Sequence, residues 1–389
     1  MGKIVAVICE YNPFHNGHKY QIDKIREKIP DATIVCIMSG NATQRGEFAL
    51  LDKYTRAKVA VLNGANVVLE MPFPFSASNA EIFAFAGVEI ASKIGADYLC
   101  FGIESKEIAK LEKIVDLICT DEFEIELKAQ LENKKNSYIV AREKALKSLG
   151  EQITTGSNDI LAIEYLRAIR RINPQIKPLP IQRNGCNYND VEISNMMSAS
   201  GIREQFYLSE KFLSVPQNAL ESYEKDAFLG AVLDKERAEQ FLYMKILSSS
   251  PEQISKAFDA PDGSGYFIYE LAKSSVSSNE FFEKLTSKAY TYARLRRVVI
   301  YFALGVEKIN KEISFAQLLC ADKNGRVLLK KIKHEESIKI ITKHADSRVL
   351  NENELEIYYL DKKIDEIYQG LLSKPQAPNG AYKKNAIII

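Results

Sequence analysis

Two histidines three positions apart, in His15-Asn16-Gly17-His18, stand where an apolar run passes into a segment with helical spacing. The run Ile4-Val5-Ala6-Val7-Ile8-Cys9 reads as a buried parallel strand, and Lys19 to Arg26 reads as the start of a helix. Such a junction gathers free backbone N–H groups and the positive end of a helix dipole, which suits phosphate. Imidazoles placed there can donate to a polyphosphate and to the charge that develops as it is cleaved. Pro13 stiffens the turn and Gly17 lets the backbone come close to a ligand. A metal pair or two satisfied surface residues are the competing readings. The chain has four His, half of them here, and no Cys or carboxylate pair at ligand spacing joins them, which argues against zinc.

A second phosphate-friendly stretch is Ser198-Ala199-Ser200-Gly201-Ile202-Arg203, small hydroxyl residues ahead of a helix with Arg203 one turn in. A third candidate is Lys288-Ala289-Tyr290-Thr291-Tyr292-Ala293-Arg294-Leu295-Arg296-Arg297. There basic and aromatic residues interleave, which suits RNA phosphates and bases; a solvated helix face running into an apolar half is the competing reading. From Asp322 to Arg348 eight Lys/Arg face four Asp/Glu, 8 − 4 = +4, a local excess against +1 for the whole chain.

The elements that must carry these residues alternate. Strands are expected at 4–9, 33–38, 66–71 and 97–101, with helices between them near 52–63, where Asp52 is a plausible cap, and near 79–94. Residues 106–150 read as charged helices. A helix follows from Gly156-Ser157-Asn158, with Asn158 or Ser157 as its cap, and a fifth strand spans Lys177 to Gln182 and leads to Arg183. Strand–helix repeats of this kind form a Rossmann-like, doubly wound parallel α/β sheet, whose ligands bind beyond the carboxyl ends of the strands. The loops with His15, His18, Ser39 to Glu47 and Gly102 all fall at those ends. A boundary is expected at Ser214-Val215-Pro216: residues 1–213 form the nucleotide domain and 214–389 a mainly helical region.

The 389 residues are 46% hydrophobic and 26% charged, ordinary for a globular protein of two or three domains. The six scattered Cys form no C-x-x-C, and no apolar run reaches membrane-spanning length. A reducing, cytoplasmic setting with no membrane contact is therefore expected.

The H-x-G-H and Ser-x-Ser-Gly-Ile-Arg motifs look like the two signatures of the nucleotidylyltransferase superfamily, with Ala199 replacing a hydroxyl residue. Longer blocks are similar to the tRNA(Met) cytidine acetate ligase family: Glu10 to His18, Ser39-Gly40-Asn41-Ala42-Thr43-Gln44-Arg45-Gly46-Glu47, Glu70 to Phe75, and Cys100-Phe101-Gly102. The resemblance implies activation of acetate with ATP to acetyl-adenylate, then transfer of the acetyl group to the wobble cytidine of elongator tRNA(Met). It implies His15 and His18 as catalytic. It implies ATP contacts from Val7, Ile8, Cys9, Glu10, Tyr11, Asn12, Pro13, Phe14, His15, Asn16, Gly17, His18, Lys19 and Tyr20, and from Gly102, Asn158, Arg183, Ser200 and Arg203. Mg²⁺ is expected on the phosphates, without a dedicated carboxylate cage. Tyr290, Arg294, Arg296 and Arg297 are the expected tRNA contacts. The alternatives are a small-molecule adenylyltransferase, of the pantetheine-phosphate or nicotinate-nucleotide kind, and a non-catalytic nucleotide- or RNA-binding protein.

Overall fold

The computed structural model describes residues 2–105, 107–132, 138–151, 156–182, 197–287, 290–309 and 312–389. The first elements alternate: β1 (Ile4–Cys9), α1 (Asn16–Lys28), β2 (Thr33–Ser39), α2 (Lys53–Leu62), β3 (Val67–Met71), α3 (Ala80–Lys93) and β4 (Tyr98–Ile103). Three charged helices follow, α4 (Ile108–Ile118), α5 (Asp121–Glu132) and α6 (Tyr138–Ser148), then α7 (Ser157–Ile172), β5 (Lys177–Gln182) and α8 (Ala199–Ser209). A helical block comprises α9 (Gln217–Leu229), α10 (Lys235–Leu247), α11 (Pro251–Ser255), α12 (Ser264–Ser274), α13 (Ser278–Lys284) and α14 (Tyr292–Leu304). The chain closes with β6 (Phe315–Ala321), α15 (Lys323–Glu335), β7 (Lys339–Ile341), α16 (Glu352–Gly370) and β8 (Ile387–Ile388).

The strand order is β5-β4-β1-β2-β3-β6-β7, with β8 also on β6. The first five strands are parallel. From β1 the chain moves outward through β2 to β3, then returns to place β4 on the other side of β1. The carboxyl ends of β1 and β4 therefore flank a topological switch point, where an open α/β sheet forms its ligand crevice. The sheet is sandwiched between helices. Phe83 and Ala84 of α3 and Ile163 and Leu166 of α7 pack on one face, and Ile22 and Ile25 of α1 and Ala57 and Ala60 of α2 on the other. A separate core of Leu242, Ile246, Phe281, Leu295, Val299 and Tyr301 holds the helical block together.

The region after residue 214 is less purely helical than expected. Phe315-Ala316-Gln317-Leu318-Leu319-Cys320-Ala321 is entirely buried and runs antiparallel to β3. It covers an edge that would otherwise offer unpaired backbone groups. Because β6 runs against β3, its end at Ala321 lies beside Val67, the start of β3. The basic helix α15 then starts at the amino-terminal ends of the parallel strands, with Asp322 N donating to Asn66 O at 3.0 Å. Its local charge excess thus lies at the end of the sheet opposite the His15 loop. Among the described residues, no helix is long and apolar enough to cross a membrane.

A buried ionic cluster joins α2, β3 and α16. Lys53 Nζ lies 2.7 Å from both Glu70 Oε2 and Asp365 Oδ2, Lys362 Nζ lies 3.5 Å from Asp365 Oδ2, and Asp361 Oδ1 accepts from Phe73 N at 2.8 Å. Two ammonium groups balance two carboxylates. Burial, and then the Glu70 charge, push the Asp361 carboxyl well above its ordinary 3.8. A carboxyl whose pKa is raised by folding makes the native state bind more protons, and its contribution to stability falls as pH rises through that window. Asp361→Asn is therefore expected to stabilise the protein relative to wild type at neutral pH. The gap should close as the pH falls towards about 4, as measured by urea midpoints across that range.

Candidate active site

The turn from β1 into α1 is held from three sides. Asn12 Oδ1 accepts from Leu50 N at 2.8 Å, Asn12 O accepts from Arg203 Nη1 at 2.8 Å, and Asn16 N donates to Ser214 O at 2.9 Å. The Tyr223 hydroxyl, fully buried on α9, bonds both Phe14 N (3.1 Å) and Phe14 O (3.2 Å). Beneath the turn lies Arg56 of α2, also fully buried. Its guanidinium donates to the carbonyls of Glu10, Ser39, Gly40 and Leu51, and so ties the end of β1 to the end of β2. Neither Tyr223 nor Arg56 was expected as a site residue. The available signal for Arg56 was its place among Ala57, Val59 and Ala60 on a helix whose spacing buries them.

His15 is the N-cap of α1 and is 3% exposed. Its Nδ1 accepts from Gly17 N at 3.0 Å, and His18 Nδ1 accepts from His15 N at 3.3 Å, a capping box built from two imidazoles. The rings stack with centroids 3.7 Å apart and 26° between planes. A ring nitrogen that accepts carries no proton, so the hydrogen-bond pattern assigns the proton of each neutral ring to Nε2. Both histidines are thus set as Nε2–H donors at a helix N-terminus. Gly17 is needed for this: a Cβ there would stand 2.8 Å from His15 Cε1.

Arg203 reaches the same turn from α8. Besides Asn12 O, its guanidinium contacts Glu47 Oε2 at 3.3 Å. The α8 N-cap is Ser198, whose hydroxyl accepts from Gly201 N at 3.2 Å, and Ser200 lies inside the first turn, 3.0 Å from Ser198 Oγ. The Glu10 carboxyl accepts from Gln44 N at 2.7 Å, and burial raises its pKa.

Gly102 and Asn158, expected on the adenosine side, lie at one strand end and the helix start beside it. β4 continues through Gly102 to Ile103, one residue pair beyond the expected end. Asn158 does not cap α7: Gly156 does, without a side-chain bond, and Asn158 sits in the first turn with its amide on the Glu104 carboxylate. The buried Asp159 turns back to accept from Glu104 N (2.8 Å) and Ser105 N (3.1 Å), which fixes the strand end beside the helix start. Val7 points into the core, so its backbone is what it can offer a ligand. Lys19 pairs with Asp23 and Tyr20 lies under Lys24, both along the surface of α1. Arg183 lies outside the described residues. Among those described, no group of three His, Cys, Asp or Glu could hold a metal ion.

The residues expected to face tRNA are mostly engaged within the protein. Arg296 is 7% exposed. Its guanidinium lies 4.6 Å from the Phe282 ring centroid, contacts Glu239 Oε1 at 3.4 Å, and donates to Tyr292 Oη and to Gly46 O. Arg297 donates to Gln44 O at 3.5 Å and faces Asp259 at 3.9 Å. Both side chains are spent inside the protein on acidic partners and on the 44–47 turn. Arg294 is one-third exposed but paired with Asp259, and the Tyr290 hydroxyl donates to Asp262 O.

A family model described as HIGH Nucleotidyl Transferase matches residues 2–383. A tRNA(Met) cytidine acetate ligase from Caldicellulosiruptor saccharolyticus is 34% identical over 366 residues, covering 90% of each chain. One from Clostridium kluyveri is 33% identical over 420 residues, covering 100% of this chain and 99% of its own. The crystal structure of Thermotoga maritima TmcAL bound with alpha-thio ATP superposes with a TM-score of 0.90 at 25% identity, over 100% of this chain and 99% of that one. With relatives similar along their whole length and a family model that matches residues 2–383, the chain belongs to the tRNA(Met) cytidine acetate ligase family, among the HIGH nucleotidyl transferases.

Proposed function

We propose that the protein activates acetate with ATP and passes the acetyl group to N4 of the wobble cytidine of elongator tRNA(Met), in the cytoplasm. The observation that carries this is the convergence of His15, His18 and Arg203 on one turn at the switch point of the sheet. In the first step an acetate oxygen attacks the α-phosphorus and pyrophosphate leaves. Acetate is already ionised at neutral pH, so no base is needed for this step. The chemistry needs alignment and donors for the growing charge. The two Nε2–H groups stabilise the α-phosphate and the leaving pyrophosphate, and Arg203 with the α8 N-terminus takes the β- and γ-phosphates. Gly102 and Asn158 line the adenosine side. Mg²⁺ would offset phosphate charge when bound with the nucleotide, and among the described residues no group of three His, Cys, Asp or Glu would hold it independently. In the second step the cytidine amine attacks the acetyl carbonyl, AMP leaves, and the nitrogen gives up one proton.

Residues 1–213 carry the nucleotide chemistry in this reading and residues 214–389 the tRNA, with Tyr223 and α14 of the second part bracing the first. The activation half is tested by pyrophosphate exchange. Labelled pyrophosphate should enter ATP only when acetate is present. Exchange that ignores acetate but responds to pantetheine phosphate or nicotinate mononucleotide would overturn the reading in favour of a small-molecule adenylyltransferase.

A further inference from the structure

The turn Thr43-Gln44-Arg45-Gly46-Glu47 belongs to a block of family-like sequence that the nucleotide chemistry leaves unused, and it is built as a platform. Thr43 N donates to Glu47 O at 2.9 Å and Gly46 N to Thr43 O at 3.0 Å, closing it locally, and Ala42 bridges Phe48 beneath. On the sheet side Gln44 N is bound by Glu10. On the helical side Arg297 donates to Gln44 O and Arg296 to Gly46 O. Gly46 has φ +70° and lies so close to α14 that a Cβ would stand 2.6 Å from Arg296 C. Two mostly buried arginines are thus committed to holding the carbonyls of one surface turn.

At the apex of that turn Arg45 is exposed, and among the described residues it makes no hydrogen bond or ion pair. Every other arginine near it is engaged: Arg203 by Asn12 and Glu47, Arg296 by Glu239, Arg297 by Asp259. A rigid turn presenting a solvated guanidinium at the seam between the nucleotide end of the sheet and the helical block is preorganised for an anion. A cytidine that is to meet an adenylate formed at the β1 turn must be delivered across this seam, and its flanking backbone brings phosphates with it.

We propose that Arg45 binds a backbone phosphate of the RNA substrate. The inference rests on the tRNA reading above, and assigns the RNA contact to the turn that Arg296 and Arg297 support. A phosphate of ATP is the other source of the same chemistry, and two measurements on Arg45→Gln separate them. Wild-type protein is first titrated with tRNA(Met) at several salt concentrations; affinity that is insensitive to salt would overturn the tRNA reading itself. Given salt-sensitive binding, Arg45→Gln is expected to weaken tRNA about tenfold and to lower the log–log salt slope by about 0.7–1, the signature of one lost phosphate contact. Acetate-dependent pyrophosphate exchange should stay within about twofold of wild type, because adenylyl transfer draws on other donors. Unchanged tRNA affinity and slope would overturn the assignment. So would a raised KM for ATP with tRNA binding intact, which would give Arg45 to the nucleotide.

Discussion

Replacing His18 with alanine is expected to cut acetyl-adenylate formation by about 10²–10³-fold, the usual cost of losing one preorganised donor to a developing charge. In the proposed chemistry the ring offers Nε2–H to the phosphates, because its Nδ1 is taken by His15 N. Removing it also leaves the His15 amide without that acceptor and takes away the stacking partner of His15. The structural side of the loss resembles a missing helix cap, about 1 kcal/mol. His18→Asn can accept from the His15 amide but cannot place a donor where Nε2 stands. It should therefore recover the stability and little of the activity. If both variants keep wild-type pyrophosphate exchange, the imidazoles do not act on the phosphates.

Arg56→Ala is expected to be the most damaging substitution for the fold of the site. It strands four carbonyl oxygens, from Glu10, Ser39, Gly40 and Leu51, in a place water does not reach, and leaves a cavity the size of a long side chain. Buried acceptors left unpaired cost about 1–3 kcal/mol each, and partial relaxation brings the total to roughly 4 kcal/mol or more. Arg56→Lys offers one compact ammonium in place of a planar fork, so it cannot reach carbonyls on two strand ends and a helix start together. It should still lose about 2 kcal/mol. Urea midpoints with an unchanged slope measure both values. A loss under about 1 kcal/mol for the alanine variant would show that the strand ends do not depend on this residue.

The parallel strands were legible because a strand buried on both faces is an unbroken apolar run, as in Ile4 to Cys9 and Thr33 to Ser39. β6 was not. Phe315 to Ala321 is just as apolar, but it follows a long helical stretch, and a short apolar run does not declare whether it is strand or helix. The motif around His15 announced a phosphate site through residue types and spacing. What spacing could not show is the tautomer, which depends on the ring nitrogens folding back onto Gly17 N and His15 N. Asn158 was read as a cap because Asx residues favour that position; here Gly156 takes it, and Asp159 is drawn off to the end of β4.

The pairing of the arginines at 294–297 could not be read from their own stretch of sequence. Interleaved arginines and tyrosines at 290–297 have the composition of an RNA surface. The acids that neutralise three of those arginines, Glu47, Glu239 and Asp259, come from distant parts of the chain, so no local window contains them. Arg45 is the converse case, an exposed residue on a turn held by partners distant in the chain.

Acetyl transfer to RNA is the claim on which the rest depends, and one incubation tests it most directly. The protein is given ATP, labelled acetate and elongator tRNA(Met), in parallel with the same tRNA carrying uridine at the wobble position, and the RNA is digested to nucleosides. The account requires label in N4-acetylcytidine from the first tRNA, with AMP and pyrophosphate released in step, and none from the second. Acetate-dependent ATP consumption that leaves both tRNAs unlabelled, or label in a small-molecule product, would contradict it.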